Sequence, residues 1–214
     1  MHTIELIIFD LDGTLVDSLD DLTEAVNHMR CCFGLKLIAR EQVREMVGQG
    51  ARNLVERALP DASDKDILKG LDIFLEYNDA HLLDRTVLYP GVAETLAHLC
   101  AQEKKLAVVS NKNTHHCKAI LDGLSIGIYF SSVLGADALP ERKPSPAPII
   151  KLMNDFALTA DRIAMVGDSI NDMAAGRAAG VLTVGCTYGY GDYKELEGAG
   201  LIVDSFYELL NFLN

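Results

Sequence analysis

The sequence predicts an α/β fold: a doubly wound, mostly parallel sheet of Rossmann-like type with an inserted all-helical cap subdomain. Three observations predict it. Short apolar runs rich in β-branched residues recur along the chain, helical patterns lie between them, and one long segment after the first run is helical throughout. Continuous apolar runs mark strands covered on both faces, as in parallel sheets. Alternating strand and helix implies right-handed crossovers.

The predicted strands are Glu5 to Phe9, Leu106 to Val109, Ser132 to Leu134, Ile163 to Val166, Val181 to Val184 and Leu201 to Val203. Between and after them, Val92, Leu96, Leu99 and Cys100 share one helical face, and so do Phe206, Leu209, Leu210 and Leu213. From Val16 to Arg85 no strand pattern occurs. Ile67, Leu71, Phe74, Leu75 and Leu82 fall on one face there, and Gly34, Gly48, Gly50 and Pro60 divide the segment into several helices. The reading is a core of residues 1–15 and 86–214 and a helical cap of residues 16–85. Linkers near Val16 and from Thr86 to Pro90 would form a hinge.

The chain's 214 residues suffice to bury roughly 70% of the extended surface, so neither disulfides nor a structural metal are needed for folding. Acidic residues number 31 and basic ones 19, a net charge of −12. That balance lacks the cationic footprint that nucleic acid or an anionic membrane requires. The longest apolar runs are too short to span a bilayer, and no basic stretch precedes a long apolar core near the N-terminus. The five cysteines show no Cys-x-x-Cys spacing. Free thiols and a cytoplasmic protein, monomeric or weakly dimeric, are the expectation. His115-His116-Cys117 reads as a solvated helix face, because adjacent helical residues point in different directions.

In open α/β sheets, ligands bind beyond the carboxyl ends of the strands. Four segments should meet there: Asp10-Leu11-Asp12-Gly13-Thr14-Leu15-Val16-Asp17-Ser18, Ser110-Asn111-Lys112, Arg142-Lys143-Pro144-Ser145-Pro146 and Gly167-Asp168-Ser169-Ile170-Asn171-Asp172. Together they offer carboxylates, a hydroxyl, amides and a lysine. Crowded carboxylates repel and tend to take up protons, and a divalent cation removes the conflict. Oxygen donors without His or Cys favour Mg²⁺, which binds through one or two carboxylates plus substrate phosphate. The lysine and hydroxyl suit the remaining phosphate oxygens. Such a set describes phosphoryl transfer, in which a carboxylate can itself be the nucleophile.

These motifs, in this order, resemble the haloacid-dehalogenase-like phosphatase superfamily over nearly the whole chain. The resemblance implies that Asp10 attacks phosphorus and forms an aspartyl-phosphate. Asp12 would protonate the leaving alcohol and then activate water. Ser110 and Lys143 would hold the phosphoryl group, with help from Asn111. Mg²⁺ would be held by Asp10, the main-chain carbonyl of Asp12 and Asp168, with Asp172 supporting it indirectly or capping the helix that follows. An acid at Asp12 speaks against dehalogenation.

Gly48-Gln49-Gly50-Ala51-Arg52-Asn53-Leu54-Val55, Tyr89-Pro90-Gly91-Val92 and Thr187-Tyr188-Gly189-Tyr190-Gly191 resemble phosphoglycolate phosphatases. Ser110-Asn111-Lys112-Asn113 departs from the Thr-Asn-Lys-Pro usual in that subfamily but keeps the hydroxyl. Within the cap, Arg52 is the expected partner for a substrate carboxylate. The expected activity is hydrolysis of a small phosphoester, 2-phosphoglycolate. A phosphomutase resembling β-phosphoglucomutase and a pyrophosphatase are the alternatives. A phospho-receiver domain is argued against by chain length, the helical insert and Asp12.

Overall fold

The computed structural model describes residues 3–213. Six strands form one parallel sheet: β1 (Leu6–Phe9), β4 (Lys105–Val109), β5 (Ser132–Leu134), β6 (Ile163–Gly167), β7 (Leu182–Cys186) and β8 (Leu201–Val203), in the order β5-β4-β1-β6-β7-β8. β1 lies at the point where the order reverses, with β4 on one side and β6 on the other. The strands alternate faces as the pleat requires. Ile7 and Phe9 join Leu106 and Val108 in one core layer, whereas Leu6 and Ile8 join Ala107 and Val109 in the other. All four β1 residues are buried.

Helices α5 (Val92–Ala101) and α6 (Thr114–Gly123) contribute Leu96, Leu99, Ile120 and Leu121 to the first layer. Helices α7 (Ala147–Asp155) and α8 (Ile170–Ala179) contribute Ile149, Leu152 and Ala175 to the second. The segment at Phe206 is a 3₁₀ turn, Phe206–Asn211, rather than an α-helix. Phe206, Leu209 and Leu213 are buried by it, and Leu210 is only partly covered.

Residues 19–80 form α1 (Leu19–Cys32), α2 (Arg40–Arg44), α3 (Ala51–Ala58) and α4 (Asp64–Ala80). They have their own apolar cluster, centred on Leu22, Val26, Met29, Val55, Ile67 and Phe74. Leu82, expected on this face, packs instead against the sheet's core. No strand was expected near Val16 or Arg85, yet β2 (Val16–Asp17) pairs antiparallel with β3 (Val87–Leu88). The two expected linkers are therefore hydrogen-bonded to each other. A two-residue ladder is too short to leave a periodic signal in sequence. All five cysteines are free, and no helix among the described residues is long and apolar enough to cross a membrane.

One buried carboxylate ties the returning chain to the helical unit. Asp21 of α1 accepts hydrogen bonds from the main-chain N–H groups of Arg85 and Thr86 and from the Thr86 hydroxyl, at 2.7 to 3.1 Å. Removing it leaves buried donors unpaired, which costs about 1–3 kcal/mol for each such group. Asp21→Ala is expected to lower the unfolding free energy by about 2–4 kcal/mol, read from the urea midpoint. A midpoint within experimental error of the wild type would contradict this role.

Candidate active site

The sheet topology brings the four expected segments to one edge. β1 and β6 are neighbours, with Phe9 opposite Val166, so the residues just beyond them meet. Asp10, Asp168 and Asp172 each present a carboxylate oxygen within 4.8 Å of the others. All three are at least nine-tenths buried. Gly13 permits this closeness: its φ is +85°, and a Cβ there would overlap the Asp168 carboxylate.

Each carboxylate has a different supporting set. Asp168 accepts from the Thr14 hydroxyl at 3.1 Å and from the Tyr190 and Gly191 N–H groups at 2.7 and 3.3 Å. Tyr190 and Gly191 thus reach Asp168 through the backbone, while the Tyr190 hydroxyl accepts from the Ser18 N–H at 2.7 Å. Asp172 closes a capping box with Ser169 at the start of α8, accepting from its N–H and its hydroxyl. It therefore both caps the helix and sits beside the other two carboxylates. Lys143, 2% exposed, donates to Asp172 at 2.6 Å and lies 2.9 Å from Asp10.

One lysine faces three carboxylates. Burial pushes the Asp10 carboxyl up to about 8, the Asp172 and Asp168 charges add to the rise, and Lys143 opposes it. Burial likewise raises Asp168 to about 7, with Asp172 adding to it. The Asp172 and Asp10 charges, with their hydrogen bonds, more than offset burial at Lys143 and hold it in its charged form. Carboxyls held well above their usual range by burial and by one another signal a shortage of positive charge. The donor set, all oxygen, fits a hard divalent cation.

Asp12 is set apart from this cluster. Its side chain turns to Lys112, whose Nζ lies 3.0 and 3.1 Å from the two carboxylate oxygens, and to the Ser18 hydroxyl. Lys112 was given no role from sequence. Its partner lies 100 residues away in the chain, and no local pattern announces the pairing. Ser110 is 4% exposed at the end of β4, and its hydroxyl accepts from the Lys112 N–H.

One expected residue stands apart from the others. Arg52 does not reach the site. It is exposed on α3 and paired with Glu56 at 2.8 Å, one helical turn on. Asn111 lines a cavity together with Asp10, Asp12 and Ser110. Its Nδ2 donates to the carbonyls of Gly48 and Lys143, each at 2.9 Å. Asn171 also donates to the Gly48 carbonyl, at 3.2 Å. Gly48, at φ +106°, is thus gripped from two loops of the sheet edge.

Asp10, Asp12, Val47 and Gly48 line both of two adjoining cavities. The smaller, about 70 Å³, continues to Ser110, Lys112, Leu54 and Phe74. The larger, about 440 Å³, continues to Asp168, Asn171, Arg44 and Tyr190. Arg44 ties α2 to the sheet edge by donating to the carbonyls of Tyr190 and Gly189.

A parallel sheet with an inserted helical unit, carrying an aspartate nucleophile candidate beside a lysine at the switch point, defines a class of capped hydrolases. The chain belongs to the haloacid dehalogenase-like hydrolase family, whose model matches residues 7–186. It is 38% identical to a phosphoglycolate phosphatase of Chromobacterium violaceum over 98% of this chain and 96% of that one. It is 40% identical to a phosphoglycolate phosphatase of Pseudomonas fluorescens over 96% of this chain and 78% of that one. A crystal structure of a protein from Haemophilus somnus, described as a predicted phosphoglycolate phosphatase, superposes with a TM-score of 0.95 over all of both chains at 37% identity.

The carboxylate cluster makes a thermodynamic prediction. A hard divalent cation bound only by the native state raises the unfolding free energy by about 2.7 kcal/mol at one hundred times its dissociation constant. Asp168→Ala is expected to lose most of that gain in urea titrations run with and without the cation. A gain of equal size in the variant would place the cation elsewhere.

Proposed function

We propose that this protein is a Mg²⁺-dependent phosphomonoesterase that hydrolyses 2-phosphoglycolate to glycolate and phosphate. The observation that carries the reading is the division of labour between two neighbouring aspartates. Asp10 sits with Lys143 among buried carboxylates, while Asp12 is held outside that cluster by Lys112 and Ser18. One is placed to attack, the other to move protons. Mg²⁺, held by Asp10, Asp168 and the Asp12 main-chain carbonyl, would neutralise phosphoryl charge when bound.

Lys143 and Ser110 hold the phosphoryl group while Asp10 attacks in line and the alcohol leaves with a proton from Asp12. Asp12 then takes a proton from water, which cleaves the aspartyl-phosphate and returns Asp10. Asp172 keeps Lys143 aimed at Asp10.

The substrate's carboxylate falls to Lys112 rather than Arg52. Lys112 and His116 are the basic side chains of the smaller cavity's lining among the described residues, and Leu22, Leu54, Phe74 and Leu75 supply large apolar side chains to its wall from the helical unit. A carboxylate entering there competes with Asp12 for the ammonium of Lys112. Engaging it releases Asp12 to carry the proton that the leaving group needs. A space this small suits a two-carbon acid better than a hexose. The names of the relatives point the same way.

Asp10→Asn keeps the shape and removes the attacking charge. Turnover on 2-phosphoglycolate is expected to fall by several orders of magnitude, since uncatalysed phosphoester hydrolysis is among the slowest reactions. A variant with a tenth of wild-type turnover would refute the assignment. A panel of phosphoesters assayed with Mg²⁺ should rank 2-phosphoglycolate above glucose phosphates, nucleotides and pyrophosphate. Loss of a charged hydrogen bond is worth about 1.5–3 kcal/mol. Lys112→Met should therefore lower kcat/KM for 2-phosphoglycolate roughly ten- to a hundredfold, and should lower it much less for p-nitrophenyl phosphate, which has no carboxylate. Equal losses on both esters would leave the carboxylate without its reader.

A further inference from the structure

A second cluster of ligating side chains lies where α4 meets α6, with His116 in the wall of the cavity that Asp10 and Asp12 also line. His115 and His116 are adjacent on α6 and were expected to diverge onto a solvated face. The structure overturns that. His116 is 3% exposed, the two rings lie 3.8 Å apart between centroids, and both ε nitrogens turn to one oxygen of Asp79 near the end of α4.

From this convergence we propose that Asp79, His115 and His116 form a binding site for a borderline divalent cation of the Zn²⁺ class, which clips the helical unit to the core. The donor set is two imidazoles and a carboxylate, which suits Zn²⁺ and is poor for Mg²⁺. The His115–Asp79 spacing fits, and His116 would draw back from its hydrogen bond to Asp79 as the ion enters. Tetrahedral ligands at zinc bond lengths stand about 3.3 Å apart. The His115 nitrogen is 3.3 Å from the Asp79 oxygen, the His116 nitrogen is hydrogen-bonded to that same oxygen, and the three donors lie within 4.8 Å of one another. Three protein ligands leave a fourth position for water.

Burial lowers the His116 pKa, with the charges of His115 and Lys112 acting the same way and Asp79 opposing them. A neutral imidazole has the lone pair that a metal needs. Asp79 and His115 are both more than half exposed, which leaves a path for the ion. Since α4 belongs to the helical unit and α6 to the sheet's flank, a metal held by both restrains their separation.

The test is calorimetric titration of Zn²⁺ into the protein with Mg²⁺ saturating, so that the carboxylate cluster is already filled. The wild type is expected to bind one equivalent that His115→Ala and Asp79→Asn bind at least tenfold more weakly. Cys32 and His28, 4.0 Å apart and exposed on α1, are unchanged in both variants, so only the lost equivalent reports on this site. His115 makes no contact with Asp10, Asp12 or Lys143, and His115→Ala keeps its activity in Mg²⁺ alone. Zn²⁺ should slow turnover of the wild type and spare the variant. Unchanged zinc affinity in both variants would overturn the site. Equal inhibition of wild type and His115→Ala would place the inhibitory zinc at Asp10 and Asp168 and overturn the clip.

Discussion

Three carboxylates buried around a single ammonium are the constraint on which this structure depends. Asp10, Asp168 and Asp172 come together because β1 and β6 are paired in register and because Gly13 and the loop at Gly189 to Gly191 leave room for Asp168. Lys143 satisfies two of the three. The remaining charge deficit is unfavourable for the empty fold, and a bound cation would relieve it. A buried ion cluster of this kind is weak evidence for stability and better evidence for function.

The helical unit is joined to that cluster by polar contacts rather than by a shared apolar core. The Gly48 carbonyl accepts from Asn111 and Asn171, Arg44 donates to the Tyr190 and Gly189 carbonyls, and Asp21 holds the returning chain. Hydrogen bonds of this number can break and reform without exposing a core. The apolar wall of the smaller cavity comes from the same unit.

Much of this was legible in the sequence. The strands follow from short apolar runs, and the site follows from what stands after each of them. Asp10, Asp168, Ser110 and Lys143 meet where the strand ends predict. Other features depend on contacts that no local pattern encodes. Lys112 meets Asp12 across 100 residues and Asp79 meets His116 across 37. Tyr190 and Gly191 hold Asp168 by main-chain N–H groups, which leave no mark on side-chain chemistry. Arg52 shows the opposite case. Its acidic partner stands four residues on, the spacing of an ordinary surface pair on a helix, and that signal outweighs its place in a glycine-containing segment.

The central claim is that Asp10 becomes phosphorylated and that Asp12 is needed to release it. Asp12→Asn retains the nucleophile and lacks the base, so with an ester whose leaving group needs no proton the intermediate should accumulate. The direct measurement is mass spectrometry of that variant after acid quench from p-nitrophenyl phosphate and Mg²⁺. The account predicts one added phosphoryl group on the peptide that carries Asp10, absent when Asp10 is also replaced by Asn. An unmodified peptide in a variant that still turns over substrate, or a phosphoryl group on any other residue, would contradict it.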